Sequence, residues 1–128
     1  MDHEVIIGPL MPPPMGHDSQ AVRAGNLHFV AGQPGIDLRG SADPDSQGRV
    51  RARVETGVSE SSRRLEAAGS GLEHVVKTTT FLTGLDNGEA ANRLFAEYFP
   101  TNPPARSSPV VELLRGLLVS VEAIAAIT

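Results

Sequence analysis

Two charged residues near the end of the chain could do chemistry, because the sequence around each of them predicts a buried β-strand. Arg106 follows a Pro-Pro-Ala segment, and Glu122 lies inside the apolar segment Val119–Ala125. Strands favour Val, Ile and Ala, and an unpaired charge taken out of water costs several kcal/mol. A guanidinium and a carboxylate in such positions indicate either an ion pair or a site for a polar ligand.

The pairing of these two segments decides whether Arg106 and Glu122 can act together. A reversal near Leu114, with Arg115-Gly116 as the turn, predicts an antiparallel hairpin in which Arg106 faces Glu122. Side chains directly opposite each other have Cβ atoms about 5 Å apart, so the two could share a bound anion or a water molecule. On the residues alone, a buried Arg–Glu salt bridge explains the pair equally well.

The other polar residues indicate a site less strongly. His17 and Asp18 could form an acid/base pair or begin a metal site, but adjacent polar residues in a Pro/Gly-rich loop are usually solvated. The remaining histidines show no metal-ligand spacing, so no metal site is predicted. Neither a Gly-x-Ser-x-Gly motif nor a phosphate-binding glycine loop is present. Nucleophilic serine catalysis is therefore not expected.

Composition narrows the function classes. The chain has 128 residues, 40% of them hydrophobic and 20% charged, as in an ordinary globular domain. A net charge of −4, with Lys77 as the only lysine and few aromatic residues, makes nucleic-acid binding unlikely. The absence of cysteine excludes disulfides and thiolate chemistry, and no apolar run is long enough to span a bilayer. We expect a cytoplasmic protein.

Apolar periodicity and turn residues predict one α+β domain over residues 1–128. Strands are predicted over residues 4–7, 21–24, 27–31 and 75–82 and in the last quarter, and helices over 53–68 and from Asp86 to Phe99. Residues 1–18 are expected to form the first strand and a Pro/Gly-rich loop, and residues 37–48 an exposed loop. Gly32-Gln33-Pro34-Gly35 is expected to break its strand and allow a close backbone approach.

This element order predicts a mixed sheet with both helices on one face, because right-handed crossovers deliver their helices to the same side. The last strand is largely apolar on both of its faces. Since the sequence offers no further element to cover the second face, a second copy of the chain is the expected cover. We therefore expect a homo-oligomer.

Several sequence blocks resemble the RidA/YjgF/UK114 family, also labelled endoribonuclease L-PSP. They run in order from about residue 19 to the end, and the blocks are Ser19-Gln20-Ala21-Val22 with Phe29-Val30-Ala31-Gly32-Gln33, Leu65-Glu66-Ala67-Ala68-Gly69, Val75–Thr83, Asn92 with Ala96–Phe99, and Pro103–Ser107 with Val121–Ala125. The resemblance implies a chorismate-mutase-like fold and a homotrimer with an inner β-barrel and a cleft at each subunit interface. It also implies hydrolysis of reactive enamines and imines, such as 2-aminoacrylate, to a 2-keto acid and ammonia without a metal or an organic cofactor.

The resemblance also assigns roles to individual residues. Arg106 matches the arginine that binds the substrate carboxylate, and Glu122 matches the glutamate that holds and helps to activate the attacking water. Gly32 matches a cleft glycine whose backbone lies close to the ligand. Asn92 matches an asparagine near the subunit contact, where it could also simply brace the helix.

Three further cleft positions depart from the family pattern. Asp18, preceded by His17 instead of proline, stands where active deaminases usually carry a tyrosine. Ala31 replaces a frequent serine, and Ser108 replaces a frequent cysteine. An aspartate near a bound carboxylate would repel it by one to a few kcal/mol.

Three hypotheses follow from these residues. The first is an enamine/imine deaminase, or a related hydrolase of a small carboxylate-bearing molecule, that uses Arg106 and Glu122. The second is a catalytically silent trimer that binds a metabolite. The third is an endoribonuclease, which the acidic balance of the chain disfavours.

Overall fold

The fold combines a mixed β-sheet with two helices. The computed structural model describes residues 2–7, 16–34, 61–84, 88–114, 117 and 119–127. Within these ranges the elements are, in chain order, β1 (Glu4–Val5), β2 (Ala21–Ala24), β3 (Leu27–Pro34), α1 (residues 61–67), β4 (Val75–Leu82), α2 (Gly88–Tyr98), β5 (Ala105–Ser107) and β6 (Val119–Ala126). A short 3-10 turn, Leu72–His74, leads into β4.

The six described strands form one sheet in the order β1-β2-β3-β6-β4-β5. The β4–β5 pair is parallel, and the other pairs are antiparallel. A parallel pair needs a long crossover between its strands, and α2 provides it between β4 and β5. The last strand of the chain thus lies inside the sheet, between β3 and β4.

The core lies on one face of this sheet, here called the helix face. Along β6 the buried residues alternate with partly exposed ones, as a strand with one covered face requires. The buried β6 residues form one cluster with side chains of both helices; the cluster includes Val119, Val121, Ala123, Ala125, Leu65, Ala91, Leu94, Phe95 and Phe99. The prediction that both helices pack on one face is confirmed.

The other face, here called the open face, carries Ser120, Glu122 and Ile124 of β6. Ser120 and Ile124 are half-buried and Glu122 is exposed. Phe29 of β3 pairs with Ile124 and is 39% exposed. The expectation that the last strand is apolar on both faces therefore holds only in part, because Glu122 and Ser120 interrupt the open side.

Two glycines with positive φ end one element and join two others. Gly69 has a φ of +79° just after α1, and the amide N–H of Ser70 donates to the Leu65 carbonyl at 2.8 Å. This is a Schellman-type helix end, which glycine permits because it has no Cβ. Gly25, with a φ of +58°, likewise allows the tight turn between β2 and β3.

The predicted hairpin between the last two strands is wrong. Arg106 of β5 pairs with Thr78 of β4, whereas Glu122 of β6 pairs with Thr79 on the other edge of β4. One strand therefore separates the two, and because Thr78 and Thr79 point to opposite faces, so do Arg106 and Glu122. The local pattern identified both strands, but nothing in it shows that β4 lies between them.

Other predictions differ from the structure in detail or lie outside the described residues. The first strand covers Glu4–Val5 rather than residues 4–7, and β3 continues to Pro34, with a shift of register between Val30 and Gln33 instead of a break. Most of the Pro/Gly-rich loop, the loop over 37–48, the start of the first helix, Asp86 and the turn at 115–116 lie outside the described ranges. Within those ranges, neither helix has the length and apolarity that crossing a bilayer requires.

Candidate functional site

Arg106 lies on β5, the edge strand, and its guanidinium is oriented by α2. The Nη2 group donates a hydrogen bond to Oδ1 of Asn92 at 2.8 Å, and the guanidinium carbon lies 5.0 Å from the centroid of the Phe95 ring. The hydrogen bond holds one nitrogen of the guanidinium, and the Phe95 ring lies within the range of a cation–π contact. A guanidinium has five N–H donors, so the exposed side chain keeps donors for a ligand.

The two supports of Arg106 come from one stripe of α2. Asn92 and Phe95 are three residues apart, which puts them on the same side of a helix. Phe95 stacks on Phe99 with ring centroids 5.5 Å apart, and both rings are buried. Asn92 is exposed, so its amide group lies at the surface and not in the core.

A groove of about 500 Å³ runs beside the guanidinium, here called the Arg106 groove. Its polar lining residues are Arg106 and Asn92, which are hydrogen-bonded to each other. The rest of the lining is apolar and comprises Phe95, Ala96, Phe99, Pro100, Pro103 and Pro104. The groove combines a cation with a hydrocarbon wall.

Glu122 lies in a different groove, on the open face. This Glu122 groove has a volume of about 380 Å³ and is lined in part by Ser19, Ala31, Lys77 and Thr79. Thr79 is the direct cross-strand partner of Glu122, so its hydroxyl lies in the same row on the same face. The carboxylate is exposed between the buried residues on either side of it in β6.

Lys77, Thr79 and Ser107 form a polar group that sequence reasoning missed. The Lys77 ammonium donates to the Ser107 hydroxyl at 3.0 Å across the β4–β5 pair, and Ser107 is the strand partner of Thr79. The alternation of β4 places Lys77 and Thr79 on one face, which could have been read from the sequence. That this face is also the face of Glu122 depends on the non-local pairing of β4 with β6.

Gly32 sits at the register shift of β3, against β6. A Cβ at this position would lie 2.7 Å from the Ser120 hydroxyl oxygen, so the hydroxyl would have to move to admit a side chain. The predicted close approach is confirmed, and its partner in the chain is Ser120. The proposed proximity of the Gly32 backbone to a ligand stays a prediction.

His28 is a buried histidine outside both grooves. It is 2% exposed in β3, and its cross-strand partner in β2 is Arg23. Burial, and then the positive charge of Arg23, lower the pKa of His28 below its usual range. Its Nδ1 atom is buried and has no hydrogen-bond partner within the described part of the chain. Over the described ranges no group of three or more His, Asp and Glu residues is placed to hold a metal ion.

Sequence comparison matches most of the chain to one family. The family described as Endoribonuclease L-PSP matches residues 10–127. The chain belongs to this family, the RidA/YjgF/UK114 family. The resemblance found in the sequence blocks is therefore confirmed.

Individual relatives agree in length as well as in sequence. A RutC family protein of Pyrococcus horikoshii is 36% identical over 95% of this chain and 96% of its own. The 2-iminobutanoate/2-iminopropanoate deaminase of Dermatophagoides farinae is 32% identical over 96% of this chain and 95% of its own. The crystal structure of the YjgF gene product from Escherichia coli superposes with a TM-score of 0.83 and 27% identity, covering 96% of this chain and 98% of that one.

The three positions that depart from the RidA family pattern differ in their surroundings. Ala31 lines the Glu122 groove and is half-buried. Asp18 is exposed just before Ser19, whose side chain lines that groove, while Asp18 is not among the lining residues. Ser108 is exposed beyond the end of β5 and lines neither groove. Of the predicted site residues, Arg106 and Asn92 thus line one groove and Glu122 and Ala31 line the other, on the opposite face, whereas Asp18, Gly32 and Ser108 are not among the lining residues of either.

Proposed function

We propose that this protein is a hydrolytic deaminase of reactive 2-imino and 2-enamino acids, which it converts to 2-keto acids and ammonia. The observation that carries this proposal is the exposed Arg106 guanidinium held by Asn92 and Phe95, a preformed receptor for a carboxylate. Membership of the RidA family and the deaminase names of relatives supply the reaction class. The reaction needs few groups: one cation, one carboxylate and a water molecule.

The reaction assigns one role to each of the two charged residues. Arg106 binds the substrate carboxylate through two parallel N–H donors and thereby places the neighbouring C=N carbon. Glu122 accepts a proton from a water molecule as the water oxygen bonds to that carbon, and the imine nitrogen takes up a proton. The amine of the carbinolamine then takes up the proton held by Glu122, the C–N bond breaks and releases ammonia, and the hydroxyl proton is released as the C=O bond forms. An enamine enters the same sequence after protonation of its carbon.

We further propose that the two residues meet across a subunit interface in a homotrimer. Arg106 and Glu122 point to opposite faces of their own sheet, so a cleft that uses both must take them from different protomers. The open face also carries exposed apolar side chains, including Phe29 and Leu27, whose burial would stabilise an assembly. Three such faces would line an inner barrel.

The second candidate function is binding without catalysis. Asp18 is exposed beside the Glu122 groove. Active deaminases of the RidA family usually carry a tyrosine hydroxyl at this position, where Asp18 places a negative charge. Two like charges about 4 Å apart repel by about 1 kcal/mol in water and by about 4 kcal/mol near a protein surface. This repulsion favours a catalytically silent trimer that binds a metabolite without a strong negative charge.

A trapping assay separates the two functions. A pyridoxal-phosphate dehydratase generates the imine from serine or threonine, semicarbazide traps it, and the protein is added. A deaminase lowers the yield of semicarbazone, and Arg106→Ala abolishes that effect, whereas Arg93→Ala, which removes an exposed arginine of α2 outside the groove, preserves it. Unchanged trapping with several amino acids would reject the deaminase.

Two further measurements complete this assay. Asp18→Tyr should raise the activity if the aspartate is what slows the reaction.

The family name also suggests ribonuclease activity. We expect none from a protein of net charge −4. Any RNA cleavage that survives Arg106→Ala belongs to a contaminant.

A further inference from the structure

The Arg106 groove has more apolar wall than a two- or three-carbon acid can use. Its polar lining residues are Arg106 and Asn92, which are hydrogen-bonded to each other, and hydrocarbon from Ala96, Phe99 and Pro104 also lines it. At about 500 Å³ it falls within the range of about 300–1,000 Å³ that is typical of small-molecule sites. A molecule that fills it must be anionic at one end and apolar at the other.

The groove is also a built feature rather than a gap between mobile side chains. Its floor contains Phe95 and Phe99, which are 6% and 8% exposed and stacked on each other within the core. Prolines at 103 and 104, whose rings restrict the backbone, form part of the opposite wall. Asn92 and Ala96 follow each other at a spacing of four along α2, so the polar end and the apolar wall share one helix face.

We propose that the Arg106 groove holds the side chain of the substrate, so that the preferred substrates are 2-imino acids with branched or aromatic hydrocarbon side chains. This inference rests on the proposed function and narrows its substrate class. With the carboxylate on Arg106, the side chain of a 2-imino acid starts two bonds away from the carboxylate carbon. It can therefore enter the groove along Ala96 and Phe99 while the C=N carbon stays beside the guanidinium.

Binding of the product 2-keto acids tests the inference without turnover. Calorimetric titration compares pyruvate, 4-methyl-2-oxopentanoate and phenylpyruvate, which share the carboxylate and differ in side chain. Each buried methylene strengthens binding by about fourfold. We therefore expect both larger acids to bind at least tenfold more tightly than pyruvate. Equal affinities within twofold, or no binding of any of the three acids at millimolar concentration, would overturn the inference.

A matched pair of helix variants locates the effect. Ala96→Leu fills the groove, and Ala67→Leu makes the same change at an exposed position of α1. The ratio of the 4-methyl-2-oxopentanoate to the pyruvate affinity should fall at least fivefold in Ala96→Leu and stay unchanged in Ala67→Leu. A ratio that is unaffected by Ala96→Leu would place the side chain elsewhere and reject the groove.

The inference and the proposed function fail in distinguishable ways. Graded binding of keto acids together with unchanged semicarbazone trapping would retain the groove and reject the deaminase. Trapping that responds equally to the imines that an amino-acid oxidase forms with O2 from alanine, leucine and phenylalanine, with ungraded binding, would retain the deaminase and reject the groove.

Discussion

Arg106 and Glu122 lie on opposite faces of the sheet, and the two side chains have different surroundings. On the helix side Arg106 is held by Asn92 and Phe95 of its own chain, so its geometry is complete in one protomer. On the open face Glu122 stands exposed among half-exposed residues such as Ile124 and Phe29. The proposed receptor for a carboxylate is therefore complete in the single chain, whereas the proposed catalytic carboxylate still lacks a cover that would keep water away from it.

The largest effect is expected from removing the negative charge of Glu122 on the open face. Glu122→Gln keeps the shape of the side chain and removes its ability to accept a proton, so kcat for imine hydrolysis should fall by about 10²- to 10⁴-fold. Keto-acid affinity should change little, because the carboxylate is bound by Arg106. Glu89→Gln, an exposed carboxylate on α2, is the control. If the Glu122→Gln variant kept the kcat of the parent, the Glu122 carboxylate would have no part in the reaction.

The contact between β3 and β6 can be disturbed without touching either charge. Gly32→Ala places a Cβ against the Ser120 hydroxyl, and overpacking of this kind costs about 1–3 kcal/mol of unfolding free energy. Ser120→Ala in the same chain should recover most of that loss. Gly88→Ala is the control, because a Cβ there has no atom within 4 Å. Chemical denaturation that finds Gly32→Ala as stable as the parent would contradict this packing.

A smaller effect is expected from the support of the guanidinium. Asn92→Ala removes the hydrogen bond to Arg106 Nη2, and bonds to charged groups contribute about 1.5–3 kcal/mol. The Kd of a keto acid and the KM of the imine should therefore rise about tenfold, with a smaller change in kcat. If kcat falls instead and Kd is unchanged, Asn92 acts on the chemistry rather than on orientation.

The smallest effect concerns the buried His28. Since its pKa in the folded protein is lowered below 6.5, the unfolded chain takes up a proton at a higher pH than the folded one. The contribution of His28 is therefore constant above pH 6.5, and stability decreases as the pH falls below it, by at most about 1.4 kcal/mol per pH unit. Denaturation between pH 7.5 and 5.5 should show this slope, and His28→Gln should remove it while His3→Gln leaves it. A slope that persists in His28→Gln would assign it to other groups.

The structural features that depend on a few neighbouring residues could be predicted from the sequence. The apolar stripe of α2, the β-branched run of β4 and the glycines at 25 and 69 each specify an element or a turn from a few neighbouring residues. The family blocks likewise selected Arg106 and Glu122 as candidate site residues. In these cases propensity and packing agree.

The sequence could not predict what non-local pairing determines. Insertion of β4 between β5 and β6 put Arg106 and Glu122 on opposite faces, and a strand carries no local mark of its neighbours. The same pairing brings Lys77 and Thr79 to the side of Glu122. The contact between Phe95 and the guanidinium could not be predicted either. Phe95 fits the apolar stripe of α2, so its spacing indicates only a core residue.

Mixed oligomers test the central claim, that Arg106 of one protomer works with Glu122 of another. Arg106→Ala and Glu122→Gln chains, each inactive alone, are produced together with different tags and isolated as oligomers that carry both. In a closed trimer every mixed assembly contains one interface with both intact side chains, so about a third of the parent activity should return. Mixed oligomers without activity, or a protein that is monomeric in solution, would contradict the account.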